Sequence, residues 1–313
     1  MTVAVLNAGL QTTVQAGPRT GLRHLGVPAS GAADPLSMAL ANRLVGNRWD
    51  APVIEATLLG PTLRFDVQCA FAVTGAPAAA TLNGHAIEYH ETVVAEAGDV
   101  LKLGAVESGV RPYIAVAGGF VVEKILQSES TYVVGGLGGH QGRALEEGDA
   151  LVVTPVAAAN NRTPDEFKPP VGSSWALRAF QSFETAQLGD DTRDLLFQTN
   201  WTIGRRSDRM GLQLEGPLLK IRSDGRMPSA PVFPGTVQCP EGGSPYILSV
   251  DAGTVGGYPR VAQIARVDRH LLGQLRPGDH VSLSLRDQAT GIEELRQKIE
   301  YWRAWLPDIE QVI

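Results

Sequence analysis

Apolar residues in this chain come in short bursts, not in long periodic stretches. Runs such as "FAVTG" from Phe71, "TVVAEAGDVLKLG" from Thr92, "YIAVAGG" from Tyr113 and "YILSVDAG" from Tyr246 are each bounded by Gly, Pro or Asp. That is the strand spacing of a β-barrel or sandwich. Helical periodicity surfaces in three places. Asp34 and Pro35 supply a cap and a first-turn proline for "LSMALANRLVGN", where Leu36, Ala39, Leu40 and Leu44 share a face and Gly46 marks the end. A second helix is expected over "DDTRDLLFQ" from Asp190. A third is expected from about Ile292, with Ile292, Leu295, Ile299, Trp302 and Leu306 as a stripe packed on the barrel or on a partner.

The strand texture repeats. "GPTLRF" at Gly60 returns as "GPLLKI" at Gly216, and "PYI" at Pro112 returns at Pro245. A paired glycine with an aromatic follows each time, "GGF" at Gly118 and "GGY" at Gly256. A Gly-Asp turn then opens an apolar strand, "GDALVV" at Gly148 and "GDHVSL" at Gly278. Four landmarks in one order predict two copies of a single fold. The Pro- and Asn-rich "PVAAANNRTPDEFKPPVGSS" between them reads as a linker, so units are expected at 1–155 and 175–313 with 156–174 joining them.

Composition narrows the class. At 313 residues the chain exceeds one ordinary core, and 43% hydrophobic with 19% charged residues excludes disorder. No apolar run reaches the roughly 18 residues a membrane helix needs, and the opening segment lacks a signal-peptide pattern, so a cytoplasmic, membrane-free protein is expected. A formal charge of −6 argues against nucleic acid as partner. Lysines are few, at 102, 124, 168, 220 and 298. The arginine excess suits planar carboxylate or phosphate groups, and skewed genomic base composition would produce it equally. Cys69 and Cys239 lack the spacing of a zinc site or a disulfide framework.

Several familiar sites are missing. There is no GxxxxGK[ST], no HExxH among the six histidines, and no GxSxG, so no P-loop, metal or serine-hydrolase elbow is expected. No lysine has a biotin-acceptor context. What remains are polar residues in Gly-rich turns. "GLRHLGVPASGAADP" carries Arg23, His24, Ser30 and Asp34, and "GRRSDRMG" carries Asp208 and Arg209. An arginine fork holds a carboxylate, and a neighbouring Asp orients it or acts as base. The bland alternatives are a helix cap at Asp34 and a turn ion pair at 208–209. In "DAGTVGGYP", Thr254, Gly256, Gly257 and Tyr258 either cradle an oxyanion or simply turn the chain, while the Gln238 amide suits an amide substrate. Cys239 reads as a bystander.

These motifs carry a family likeness. "TTVQAGPRTGLRHLGVPASGAADPLSMALANRLVGN" resembles the opening of the allophanate hydrolase subunit 2 family, also called the KipI-antagonist (KipA-like) or biotin-dependent carboxyltransferase family. "SDRMGLQLEGP", "PGTVQCPEGGSPYILSVDAGTVGGYP" and "LRPGDHVSL" resemble its later motifs. Ala16 stands where the family usually has an acid, Ala33 where it has methionine, and Val255 where it has threonine.

The resemblance implies a mainly β fold of two tandem cyclophilin-like β-barrel units with a few short helices. It implies service as the C-type subunit of an ATP-dependent 5-oxoprolinase that opens a lactam to glutamate. The expected partners are a KipI-like or allophanate hydrolase subunit 1 protein (the B-type component of 5-oxoprolinase), the A-type component and a small amide substrate. ATP is expected at the level of the complex, biotin only from a carrier on another chain, and no metal. Asp208, Arg209, Asp34 and Tyr258 become the catalytic candidates; Arg19, Ser30, Gln238, Thr254, Gly256 and Gly257 become the substrate-binding ones. The alternatives are a biotin-dependent carboxyltransferase acting on urea or a similar amide, and a non-catalytic antagonist that sequesters a KipI-like inhibitor.

Overall fold

The computed structural model describes every residue except 158–159 and 223–226. The first two lie inside the expected linker 156–174, and for them that expectation falls outside the described residues. The fold is mainly β, as expected, with a closed seven-stranded barrel. Two compact units are present. The first comprises residues 1–20, 30–171 and 302–312; the second comprises 21–29, 172–301 and 313.

In the first unit, a seven-stranded sheet and a five-stranded sheet enclose one core. The five-stranded sheet runs Gln11–Gln15, Val53–Thr57, Pro112–Val116, Cys69–Gly75, Thr92–Ala95 in spatial order. Its central strands are buried on both faces, and side-chain size sorts the faces. Phe71, Val73, Ile114 and Val116 point into the inter-sheet core. Their neighbours Ala70, Ala72 and Ala115 turn the other way, toward helix α1 (Pro35–Leu44) and its Met38, Ala41 and Leu44. Small residues on that face let the helix lie close. Asp34 caps α1 as expected: its carboxylate accepts from the Ser37 N–H at 3.1 Å and the Ser37 hydroxyl at 2.5 Å.

In the second unit the barrel order is Ser174–Gln181, Arg260–Ile264, Thr236–Gln238, Tyr246–Leu248, Gly211–Glu215, Asn200–Ile203, His280–Leu285. Alternation does the work here. Val281 and Leu283 point inward while His280 lies exposed and Ser282 half-buried, the period-2 pattern of a sheet with one wet face. Trp201 fills the core and donates its indole N–H to the Leu196 carbonyl at 3.0 Å. Leu196 belongs to α2 (Asp190–Gln198), the second expected helix. The third, α3 (Gln288–Arg303), starts four residues earlier than the stripe predicts, and Ile292 remains 43% exposed while Trp302 is buried.

The Gly-Asp landmark is a genuine structural repeat. Gly148 and Gly278 have φ of 94° and 95°. The following aspartates each accept a main-chain N–H three residues back, Glu146 to Asp149 at 2.8 Å and Arg276 to Asp279 at 2.9 Å. The paired-glycine landmark is not. Gly118 and Gly119 are left-handed, whereas Gly256 and Gly257 have no positive φ, and Val255–Gly256 instead pairs with Ala230–Pro231 as a short ribbon.

Candidate functional site

The candidate residues divide between the two units. Arg19, Ser30 and Asp34 belong to the first; Asp208, Arg209, Gln238, Thr254, Gly256, Gly257 and Tyr258 belong to the second.

Within the second unit, a cleft of about 370 Å³ is lined by Asp208, Gln238 and Tyr258 together with Arg206, Met210 and Tyr246. Two loops shape it, and buried ion pairs fasten them. The Arg209 guanidinium holds Asp251 through two hydrogen bonds, Nε to Oδ2 at 2.7 Å and Nη2 to Oδ1 at 3.1 Å. The Asp251 N–H returns to the Arg209 carbonyl at 2.9 Å, and the Ser249 N–H reaches the Met210 carbonyl at 2.9 Å. Arg209 therefore sits behind the cleft, tying its two loops together, and is not among the lining residues. A second pair, Arg260 with Glu184, anchors the chain just after Tyr258, with contacts of 2.7 and 2.6 Å. The Arg260 guanidinium holds the Glu184 carboxyl below its usual range.

Asp208 forms a turn: its Oδ1 accepts from the Met210 N–H at 2.7 Å and the Gly211 N–H at 3.2 Å. Gln238 is buried, and its Nε2 donates to the Tyr258 carbonyl at 3.2 Å. That orientation leaves the amide oxygen as an acceptor. Gly256 packs on the same amide, since a Cβ there would lie 2.4 Å from Gln238 Nε2. So the glycine in "TVGGYP" serves close approach by a side chain, not a left-handed anion cradle. Thr254 and Gly257 turn their carbonyls to Val232 and Met227 and do not line the cleft. Tyr258, 46% exposed, stands at the mouth. Cys239 is buried in the barrel core, and burial pushes its thiol up to about 12; Cys69 is likewise pushed to about 11.

In the first unit, Asp34 sits in a buried polar network that the sequence did not signal. Tyr113 donates its hydroxyl to Glu55 at 2.8 Å and accepts the Asp34 N–H at 2.8 Å. Glu55 also accepts the Ala33 N–H at 2.9 Å, and Arg111 approaches its other oxygen at 3.4 Å. Burial, with Glu55 and Asp34 nearby, holds the Tyr113 phenol well above its ordinary range, so it remains a donor. Arg19 is buried and donates to the Ser130 carbonyl. Ser30 is also buried, with a left-handed φ of 50°. Glu55 and Tyr113 escaped notice because both lie inside apolar strand runs; an acid in "VIEAT" was the sole available signal.

The family model for the carboxyltransferase domain, subdomain A and B, matches residues 25–285. The chain belongs to this family. It is 35% identical over 306 residues to the C-type subunit of 5-oxoprolinase from Escherichia coli strain K12, covering 96% of this chain and 97% of that protein. It is 33% identical over 304 residues to the C-type subunit of 5-oxoprolinase from Haemophilus influenzae, covering 96% of each. The crystal structure of the Kluyveromyces lactis urea carboxylase superposes with a TM-score of 0.90 at 29% identity over 96% of this chain. This chain spans 29% of that longer one.

Proposed function

We propose that this chain is the C-type subunit of an ATP-dependent 5-oxoprolinase, a hydrolase complex that opens the lactam of 5-oxoproline to glutamate. The observation that carries this reading is the near end-to-end match to the C-type 5-oxoprolinase subunits of two organisms. The partner subunits are those of the A and B types, the latter KipI-like, and ATP is used at the level of the complex.

The cleft chemistry agrees with an amide substrate. The Gln238 carboxamide oxygen accepts a lactam N–H, and the Tyr258 phenol donates to the lactam oxygen as charge develops there. Asp208 takes the proton of the attacking water, while both oxygens of the Asp34 carboxylate stay committed to the Ser37 cap. Asp208 has one carboxylate oxygen committed to its turn and reaches the cleft wall. Arg209 acts through Asp251, keeping both loops in place.

A second reading rests on the urea carboxylase likeness: transfer of a carboxyl group to urea or a similar amide, with biotin supplied by a carrier on another chain. The cleft volume and the Gln238 oxygen suit the ureido N–H of such a group. The deciding experiment mixes this chain with its co-expressed partners and follows glutamate release from 5-oxoproline with and without ATP. ATP-dependent release supports the first reading. A stable complex without release transfers the case to the second, and a stable complex inert with both substrates to inhibitor sequestration.

A further inference from the structure

We propose that the ribbon of Ala230–Pro231 and Val255–Gly256, with Phe183 and Phe233 beside it, is a docking ridge for a partner protein that presents carboxylates around an apolar strip. All of these residues lie in the second unit. Burial alternates along the first strand: Pro231 and Phe233 are exposed while Val232 between them is buried, so the two exposed side chains share the outer face. Val255 is paired with Pro231 and is 59% exposed. Phe233 is 52% exposed and Phe183 86%. Apolar side chains gathered on an outer face in this way mark a protein interface.

Two arginines hold the ridge in place. Arg260 donates from Nη1 to the Pro231 carbonyl at 3.0 Å, and its guanidinium carbon lies 4.9 Å from the Phe183 ring centroid. Arg23 donates to the Val232 carbonyl and lies 5.3 Å from the Phe233 centroid. Each exposed ring thus rests on a guanidinium that is itself fastened to the ribbon, and aromatic and arginine side chains are where interface energy concentrates. Anchors held in advance lose little freedom on binding.

Charge sets the chemistry of the partner. Glu184 neutralises Arg260, but among the described residues no carboxylate pairs with Arg23 or with Arg269. Burial pushes both guanidiniums below their ordinary range, and no carboxylate acts against it. Arg269 belongs to the same place: its Cγ and Cδ would each lie 3.3 Å from a Cβ at Gly235, in the turn after Phe233. In a chain of formal charge −6, two uncompensated cations beside exposed rings select a partner that brings carboxylates. The ridge also adjoins the cleft, because the Gln238 amide packs on Gly256 and donates to the Tyr258 carbonyl. The proposal rests on the 5-oxoprolinase reading only for which protein the partner is.

The test immobilises the full chain and titrates it with the A-type and B-type subunits in turn, following association, dissociation and salt dependence. Phe183→Ala and Phe233→Ala should each weaken binding of one subunit about tenfold with Tm unmoved, while Leu10→Ala, at an exposed leucine of the first unit, binds as wild type does. Arg23→Gln and Arg269→Gln should slow association and flatten its dependence on salt. Wild-type affinity in both phenylalanine variants overturns the proposal, as does an unchanged salt dependence in both arginine variants. Self-association of the wild-type chain that the phenylalanine variants abolish overturns it too, since a second copy would then cover the ridge. Binding of neither subunit by wild type removes both this proposal and the 5-oxoprolinase reading. The two part company in the assembled complex: subunit binding lost in the phenylalanine variants, with no glutamate released by wild type, removes that reading and leaves the ridge standing. Glutamate release with subunit binding indifferent to these substitutions does the reverse.

Discussion

At the scale of single residues, the Arg209–Asp251 pair shows how a motif residue can matter without touching the cleft. Both partners are almost fully buried, and a buried pair loses most when one member is removed, because the other charge is stranded. Arg209→Ala is therefore expected to cost about 3–5 kcal/mol of stability, read as a lowered urea midpoint. Tyr258→Phe, at a half-exposed mouth position, should leave the midpoint unmoved and lower kcat in the assembled complex. Equal midpoints for both variants would place Arg209 outside the clamp described. Arg209 was legible as important from "SDRMG". Its partner was not, since Asp251 lies 42 residues on and only the pairing of the two loops brings it there.

At the scale of elements, the Gly-Asp turn recurs beyond the two copies legible by repeat. Gly98 (φ 97°) and Asp99 form a third, with the Glu96 N–H on Asp99 Oδ2 at 2.8 Å. The physical need is the same each time: a positive φ followed by a carboxylate that closes the turn. At Gly278 an added Cβ would meet nothing within 4 Å. Gly278→Ala should thus report backbone conformation alone, a loss of about 1–2 kcal/mol, with the m-value unchanged. A neutral result would show that the barrel relaxes the turn. Helix α1 was legible for its local reasons, a cap, a proline and a final glycine. The ribbon at Val255–Gly256 was not, because its partner strand Ala230–Pro231 carries no hairpin signal.

At the scale of the whole molecule, buried histidines make the fold acid-sensitive. Burial, aided by Lys168, pushes the His90 imidazole down to about 4, and burial holds His270 well below its ordinary value. Below pH 6.5 the unfolded chain takes up protons that the folded chain refuses, so stability falls from pH 6.5 toward about pH 4. His90→Gln should remove up to about 3 kcal/mol of that loss, seen as a flatter Tm-against-pH curve over this window. An identical curve would mean that His90 titrates normally in the fold. Glu184, held low by Arg260, adds to the sensitivity at still lower pH, where its carboxylate protonates and the pair is lost.

The sequence by itself determined the mainly β class, the capped helix at Asp34, the recurring Gly-Asp turns and the family, because each depends on near neighbours in the chain or on ordered motifs. Tertiary structure decided which residues meet. It set Arg209 against Asp251, laid Gly256 on the Gln238 amide, and closed Glu55 and Tyr113 around the Ser30–Asp34 loop. These are contacts between strands distant in sequence, and residue spacing holds no record of which side chain a folded sheet will bring opposite another.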